Sequence, residues 1–382
     1  MIIGIDASNI RRGGGVHHLV ELMRVADTVT HDFHKIIIWG GNTTLGKIEE
    51  RPWLVKVRVD VLNDGIFRRV LWQYSELSKL ARIAGCDVLM IPGGSFYGNF
   101  HPIVAMSQNL LPFEWTEIRR YGWSISTLRL ILLRLIQMRT FWTSDGLIFL
   151  THYAQETTRK VVNLNRKKLA LIPHGVNKRF MIEPRLQQGI EKFSADNPFR
   201  ILYVSTVDVY KHQWHVVEAV SILRERGFPV ALDMVGLAYA PALVKLNNMM
   251  EKIDPYGEFI NYSGELPYES VHKMYFQANL FVFGSSCETF GQVITEAMSA
   301  GLPIACSKLS AMPEILGDAA VYFEPESPDS IAFAIQQLIE SKDLRTKIAK
   351  DAFERVKKYS WERCANETFS FIKETTRCYK NR

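Results

Sequence analysis

A rhythm that runs through the chain twice constrains its fold more than any other feature. Short apolar runs alternate with stretches of helical spacing. In the first series the runs fall at residues 2–5, 35–39, 55–59, 87–91, 102–106, 146–150 and 168–172. Most are bounded by Gly, Pro or Asn and several are continuously apolar, as in strands buried on both faces. Residues 183–198, EPRLQQGIEKFSADNP, break the rhythm. The stretch is polar, carries two prolines and reads as a linker. The series then resumes, with strands expected at 199–204, 230–235, 258–262, 279–283, 303–306 and 320–323. Helices are expected near 214–226, 239–252, 268–277, 291–299, 328–341 and 343–359. Such alternation specifies a parallel sheet covered by helices on both faces. A chain of 382 residues also exceeds what one core usually holds. The expectation is an α/β protein of two doubly wound, Rossmann-like domains facing each other across a cleft, at 1–185 and 186–360. Open α/β sheets bind ligands at the carboxyl ends of their strands, so the loops after the strands are where chemistry is sought.

Composition narrows the class. Hydrophobic residues at 47% and charged residues at 23% exclude a disordered, collagen-like or coiled-coil chain. The net charge of +6 is unevenly spread. Residues 1–185 carry 25 Lys+Arg against 15 Asp+Glu, a net +10, which leaves −4 for the remainder. No nucleic-acid motif accompanies the basic half, so no nucleic-acid partner is expected. The five cysteines are scattered without a C-x-x-C pair, which fits a reducing, cytoplasmic setting. The apolar start meets Asp6 too soon for a secretory leader, and no run reaches the length of a membrane span.

The segment at 284–303, GSSCETFGQVITEAMSAGLP, is the most informative. A strand ends at Phe283, a polar loop carries Glu288, and a helix begins near Phe290 and Gly291. Unpaired backbone donors and the helix dipole make such a terminus a phosphate site, and Gly291 leaves room for close approach. Glu288 on the loop is a candidate acceptor for sugar hydroxyls. Glu296, two turns on, is a candidate for a ribose diol. Taken alone, the two carboxylates also fit a helix cap and a solvated surface residue.

The pair Glu288 and Glu296, continuing as EAMSAGLPI and AMPEILGDAAVYFEPESP, resembles the E-x7-E signature of retaining GT-B glycosyltransferases of family 4 (group 1). Other landmarks agree: the glycine-rich loop Gly13-Gly14-Gly15-Val16-His17, the segment IPHGVN at 172–177, the stretch 202–211, and Trp361, which resembles the start of a closing helix. The resemblance implies the GT-B fold, with residues 361–382 crossing back to the first domain. It implies that Glu288 contacts the donor sugar, that Glu296 binds the ribose, and that Lys211 neutralises the departing diphosphate. Thr289, Phe290, Gly291, Thr206, Gly14 and Gly15 would line the donor. Gln108 would stand near the reacting sugar.

Two positions depart from the family pattern. Ser205-Thr206 stands where relatives carry Gly-Arg, which removes the usual partner cation of Lys211. Gln108-Asn109 stands where many carry His-Asp, and an amide hydrogen-bonds but supplies no base. The expected activity is hexosyl transfer from a UDP- or GDP-sugar to a glycan or undecaprenyl-diphosphate-linked acceptor in bacterial O-antigen or capsule assembly. No D-x-D triplet follows a strand, so neither a metal nor any other cofactor is expected. The alternatives are a GT-B epimerase or phosphorylase, or a non-catalytic nucleotide-sugar-binding subunit. Residues 115–142 mix Trp, Leu and Ile with Arg119, Arg120, Arg129, Arg134 and Arg139, which suggests a peripheral membrane surface. The last three are spaced by five, a spacing that rings a helix and makes no single stripe.

Overall fold

The computed structural model describes residues 1–11, 13–165 and 167–381. The chain divides into two compact units, Met1–Gly175 with Ser360–Arg382, and Val176–Tyr359.

In the first unit seven strands form one parallel sheet: β1 (Ile2–Asp6), β2 (Lys35–Gly40), β3 (Leu54–Arg58), β4 (Val88–Ile91), β5 (Ile103–Ser107), β6 (Gly146–Phe149) and β7 (Lys168–Leu171). Their order is β3-β2-β1-β4-β5-β6-β7. In the second unit six strands do the same: β8 (Phe199–Val204), β9 (Val230–Val235), β10 (Ile260–Tyr262), β11 (Leu280–Phe283), β12 (Ile304–Ser307) and β13 (Val321–Phe323). Their order is β10-β9-β8-β11-β12-β13. Every expected strand forms; the central β4, β5, β6, β11 and β12 are buried throughout, while β3, β7, β10 and β13 towards the sheet edges are partly exposed. Strand order reverses between β1 and β4 in one sheet and between β8 and β11 in the other. Connections leave in opposite directions at such a point, and a crevice opens beyond the strand ends.

The division differs from the linker expected at 183–198, because that stretch and the residue before it are pinned to the second unit by hydrogen bonds to backbone carbonyls. The Ile182 amide donates to the Ser299 carbonyl at 2.9 Å. Arg185 donates to the Phe276 carbonyl at 2.7 Å, and the buried Arg345 donates to the carbonyl of Gln188. Polarity in this segment therefore marks surface chain, and the division comes earlier, at Gly175.

The helix Trp361–Lys380 belongs to the first unit. Its Trp361 is fully buried against the imidazoles of His17, His18 and His174, with ring centroids 5.5, 5.7 and 5.9 Å away. His18 and His174 meet Nδ1 to Nδ1 at 3.0 Å. One must donate and the other accept, so they are not both cationic. Burial first, and then the neighbouring imidazoles, lower both; His18 falls to about 3.

Candidate active site

The loops after β8 and β11 flank the reversal point of the second sheet, and hydrogen bonds stitch them together. Tyr203, buried in β8, donates its hydroxyl to the Lys211 carbonyl and accepts the Gly284 amide at 3.2 Å. The Ser286 amide donates to the Tyr210 carbonyl at 2.9 Å. The imidazole Nε2 of His212 lies 3.1 Å from the Ser286 hydroxyl. These bonds set Lys211 beside Glu288, and the two side chains form an ion pair. The ammonium also lies 4.9 Å from the Tyr210 ring centroid and 5.0 Å from that of Phe283, an arrangement that favours a cation. Ser310 clasps the Glu288 backbone from a third loop: it accepts the Glu288 amide at 2.8 Å and donates to its carbonyl at 2.9 Å. Ser310 itself holds a φ of 61°, strain of the kind that active-site loops retain.

Glu296 lies on the helix Gln292–Ser299 and is 4% exposed, so it is no solvated surface residue. The Tyr275 hydroxyl donates to Oε2 at 2.9 Å and that of Tyr268 to Oε1 at 3.4 Å. Burial raises Glu296 to about 7, against the lowering effect of the two hydroxyls and of Arg179. Arg179 stacks on the Tyr268 ring at 4.9 Å. Gly291 precedes the helix with φ 79°, and a Cβ there would come within 3.0 Å of the Met312 methyl. Only glycine fits that combination comfortably. Phe290 is buried edge-on to Tyr359 at 5.4 Å, and Thr289 is buried between Glu288 and Phe290 in the chain.

Thr206 is exposed at the end of β8, and its carbonyl accepts the Gln213 side-chain amide at 3.0 Å. The backbone there packs so closely on Gly236 that a Cβ at Gly236 would overlap the Ser205 carbonyl. The second unit thus gathers Lys211, Glu288, Thr289, Phe290, Gly291, Glu296 and Thr206. Gln108, Gly14 and Gly15 lie in the first unit. Gln108 follows β5 and donates to the Met106 sulfur at 3.1 Å. A Cβ on Gly15 would stand 3.6 Å from the Gln108 amide oxygen, so these two share one edge. Tyr203, Ser310, Tyr268, Tyr275 and Arg179 were not legible as site residues. A strand tyrosine or a loop serine carries no spacing signal.

A cavity of about 600 Å³ opens elsewhere in the second unit, lined by Arg185, Arg200, Arg345 and Asn279. Its arginines bond outward or to backbone carbonyls, as Arg185 does to Phe276 and Arg345 to Ile339 at 2.6 Å. It lies beside Phe199 and Arg200, at the start of β8 and so at the opposite sheet edge from Lys211. Among the described residues no group of three or more His, Cys, Asp or Glu is placed to hold a metal ion.

Residues 187–355, most of the second unit, match the family model described as "Glycosyl transferases group 1". Among curated proteins, O-antigen chain mannosyltransferase B of Escherichia coli is 35% identical over 115 residues, which cover 30% of each chain. The matches to the first curated relatives span 30%, 28% and 23% of those proteins' lengths. Among solved structures, sucrose-phosphate synthase of Thermosynechococcus elongatus superposes with a TM-score of 0.77 at 17% identity, covering 100% of this chain and 98% of that one. HepE of Anabaena in complex with UDP-glucose gives 0.68 at 13% identity, with both chains covered in full. The fold is therefore GT-B: two parallel-sheet, Rossmann-like domains.

Proposed function

We propose that the protein is a retaining glycosyltransferase of the family 4 type. It moves a hexosyl residue from a UDP- or GDP-sugar to a glycan or undecaprenyl-diphosphate-linked acceptor in bacterial surface polysaccharide assembly. The observation that carries this reading is the Lys211–Glu288 pair at the reversal point of the second sheet, within the stretch that matches the group 1 family model, with Glu296 buried on the adjoining helix. The relative named as an O-antigen mannosyltransferase and the neighbour that holds UDP-glucose support the donor class and the setting.

In this reading the bond between sugar C1 and the phosphate oxygen breaks as the acceptor oxygen attacks the same face. The acceptor proton passes to the phosphate oxygen that is released. Charge grows on the leaving diphosphate, and a fixed cation at Lys211 stabilises it. Glu288 accepts from sugar hydroxyls, and Glu296 accepts from the ribose. Thr289, Phe290, Gly291 and Thr206 contact the donor with Gly14 and Gly15. Gln108 hydrogen-bonds the sugar and moves no proton. The reaction needs no protein nucleophile and no cofactor besides the donor, and the diphosphate requires no metal.

The acceptor is placed at the cytoplasmic face of a membrane. Among the described residues no helix is long and apolar enough to cross one. The helix Ile125–Thr143 instead offers a surface. Ile125, Leu128, Leu132, Leu135 and Trp142 are exposed, at the spacing of a single helix face, with Trp123 just before them. Two of the arginines that ring the helix in sequence are turned to backbone: Arg134 to the Pro112 carbonyl at 3.1 Å and Arg139 to that of Phe96 at 3.2 Å. An apolar face with Trp at both ends and no acid suits an anionic lipid interface.

The test is turnover of UDP- and GDP-sugars with a lipid-linked acceptor, the product's anomeric configuration being read by NMR. A product of unchanged configuration is expected. Inversion, or isomerised donor formed without acceptor, would overturn the reading.

A further inference from the structure

The first sheet has its own reversal point, between β1 and β4, where the donor chemistry uses only the glycines Gly14 and Gly15 that follow β1 and no cation. Arg69, on the helix Ile66–Trp72, lies across the end of β1 and is 9% exposed. Its Nη1 donates to the Ser8 carbonyl at 3.2 Å and to Asn9 Oδ1 at 3.4 Å, both neutral acceptors. Its Nε is buried and has no partner. No carboxylate pairs with it among the described residues. The nearby acids are engaged elsewhere: Asp64 pairs with Arg68 at 3.0 Å. Asp6 accepts from the Gln73 amide and from the Ser8 backbone at 2.9 Å, and burial raises it toward its neutral form.

The charges that do reach Arg69 are of its own sign. After burial, Arg11 and Arg129 are what lower it. Arg11 is held at this edge by bonds to the carbonyls of Asn63 at 3.1 Å and Asp64 at 3.3 Å. Arg129 is exposed on the helix Ile125–Thr143 and makes no hydrogen bond or ion pair among the described residues. That helix is tied to the loop after β4, where the Phe96 amide donates to the Thr140 hydroxyl at 2.9 Å. The helix and the end of β1 thus border one crevice. A buried guanidinium without an anion is an unfavourable arrangement that an anion would relieve. Guanidinium forks match phosphate oxygens in pairs.

We propose that Arg11, Arg69 and Arg129 form a phosphate-binding subsite at the carboxyl edge of the first sheet, which takes the phosphate or diphosphate group of the acceptor. The word acceptor rests on the transferase reading; the anion site itself does not. The apolar face described for the helix Ile125–Thr143 begins beside Arg129, so a phosphate attached to a lipid suits the crevice.

The test uses the full chain, with calorimetric titration of inorganic diphosphate, farnesyl diphosphate, farnesol and UDP. Both diphosphates are expected to bind, unaffected by saturating UDP, while farnesol does not. Arg129→Ala and Arg11→Ala, both surface changes, should each weaken diphosphate binding at least tenfold and leave UDP affinity unchanged. Arg69→Gln should do the same, with its fold checked by circular dichroism. Farnesyl diphosphate binding more tightly than diphosphate identifies a lipid-borne group, and equal affinity identifies the phosphate itself. Diphosphate binding that survives Arg129→Ala and Arg11→Ala, or that UDP displaces, would overturn the proposal. Failure of UDP to bind at all would count against the transferase reading and leave the anion site standing.

Discussion

The ammonium of Lys211 rests against the carboxylate of Glu288, and both side chains are largely withdrawn from water, at 9% and 16% exposure. Each group therefore pre-positions the other. Removing either leaves an uncompensated charge, and for buried pairs that costs about 3–5 kcal/mol. Lys211→Ala and Glu288→Ala should each destabilise the second unit by up to about 3 kcal/mol, the lower end reflecting the residual exposure. The double variant should fall short of the sum by roughly 1–3 kcal/mol. Sugar transfer should drop at least about 100-fold in either single variant. Denaturant unfolding and initial rates provide the measurements; additive losses would show that the pair is not coupled.

Glu296 makes the second unit sensitive to pH. Its folded-state value of about 7 stands above the usual carboxyl value of 4.5. The folded state thus holds the proton more tightly than the unfolded chain. The associated stability is complete below about 4.5 and is lost as pH rises through about 7. The shift corresponds to on the order of 3 kcal/mol. Glu296→Gln should flatten this dependence, as seen by amide exchange in β11 and β12 between pH 4.5 and 7.5. An unchanged slope in the variant would assign the dependence to another group.

His18 and His174 do the reverse in the first unit. Both are held neutral when folded and take a proton near 6.5 when unfolded. Their contribution is complete above 6.5 and is lost as pH falls toward the folded value of about 3 for His18. Within that window His18 alone removes about 1.4 kcal/mol per pH unit. His18→Asn should shallow the acid limb of unfolding for the first unit. Exchange in β4 and β5 should accelerate at pH 5 in the parent protein and less so in the variant.

Tyr203→Phe removes the hydroxyl that bridges Lys211 and Gly284 and leaves the ring in place. The loss of this buried bridge should cost about 1–3 kcal/mol and lower kcat more than it raises KM, since the tyrosine touches no substrate. A variant with full kcat would show that the two loops are registered by other bonds.

The fold was legible because doubly buried strands are written as uninterrupted apolar runs, such as VLMI at 88–91 and LFVF at 280–283. Glu288 and Glu296 were legible because they stand eight residues apart in one motif, and Lys211 because it ends a second recognisable stretch, 202–211. Three things were not. The unit boundary depends on the carbonyls that Arg185 and Arg345 bind, which no local pattern records. The partners of the Glu296 carboxylate, Tyr268 and Tyr275, come from the neighbouring helix Tyr268–Gln277 and look like core residues. The arginine spacing from Arg129 to Arg139 pointed to a ring, but inward bonding of Arg134 and Arg139 leaves the Leu and Ile positions facing water.

That outward face gives the last prediction. Leu128 and Leu132 are exposed one turn apart on the helix Ile125–Thr143. Replacing both by Glu places two negative charges where contact with an anionic surface is proposed, without touching the core. Stability should change by no more than about 0.5 kcal/mol per site, as is usual for exposed positions. The parent protein should sediment with phosphatidylglycerol vesicles at low salt and much less with phosphatidylcholine alone. The double variant should remain in the supernatant, yet turn over a water-soluble acceptor at the parental rate. Parent protein that ignores anionic vesicles at low salt would remove the membrane contact and leave the transfer chemistry untouched.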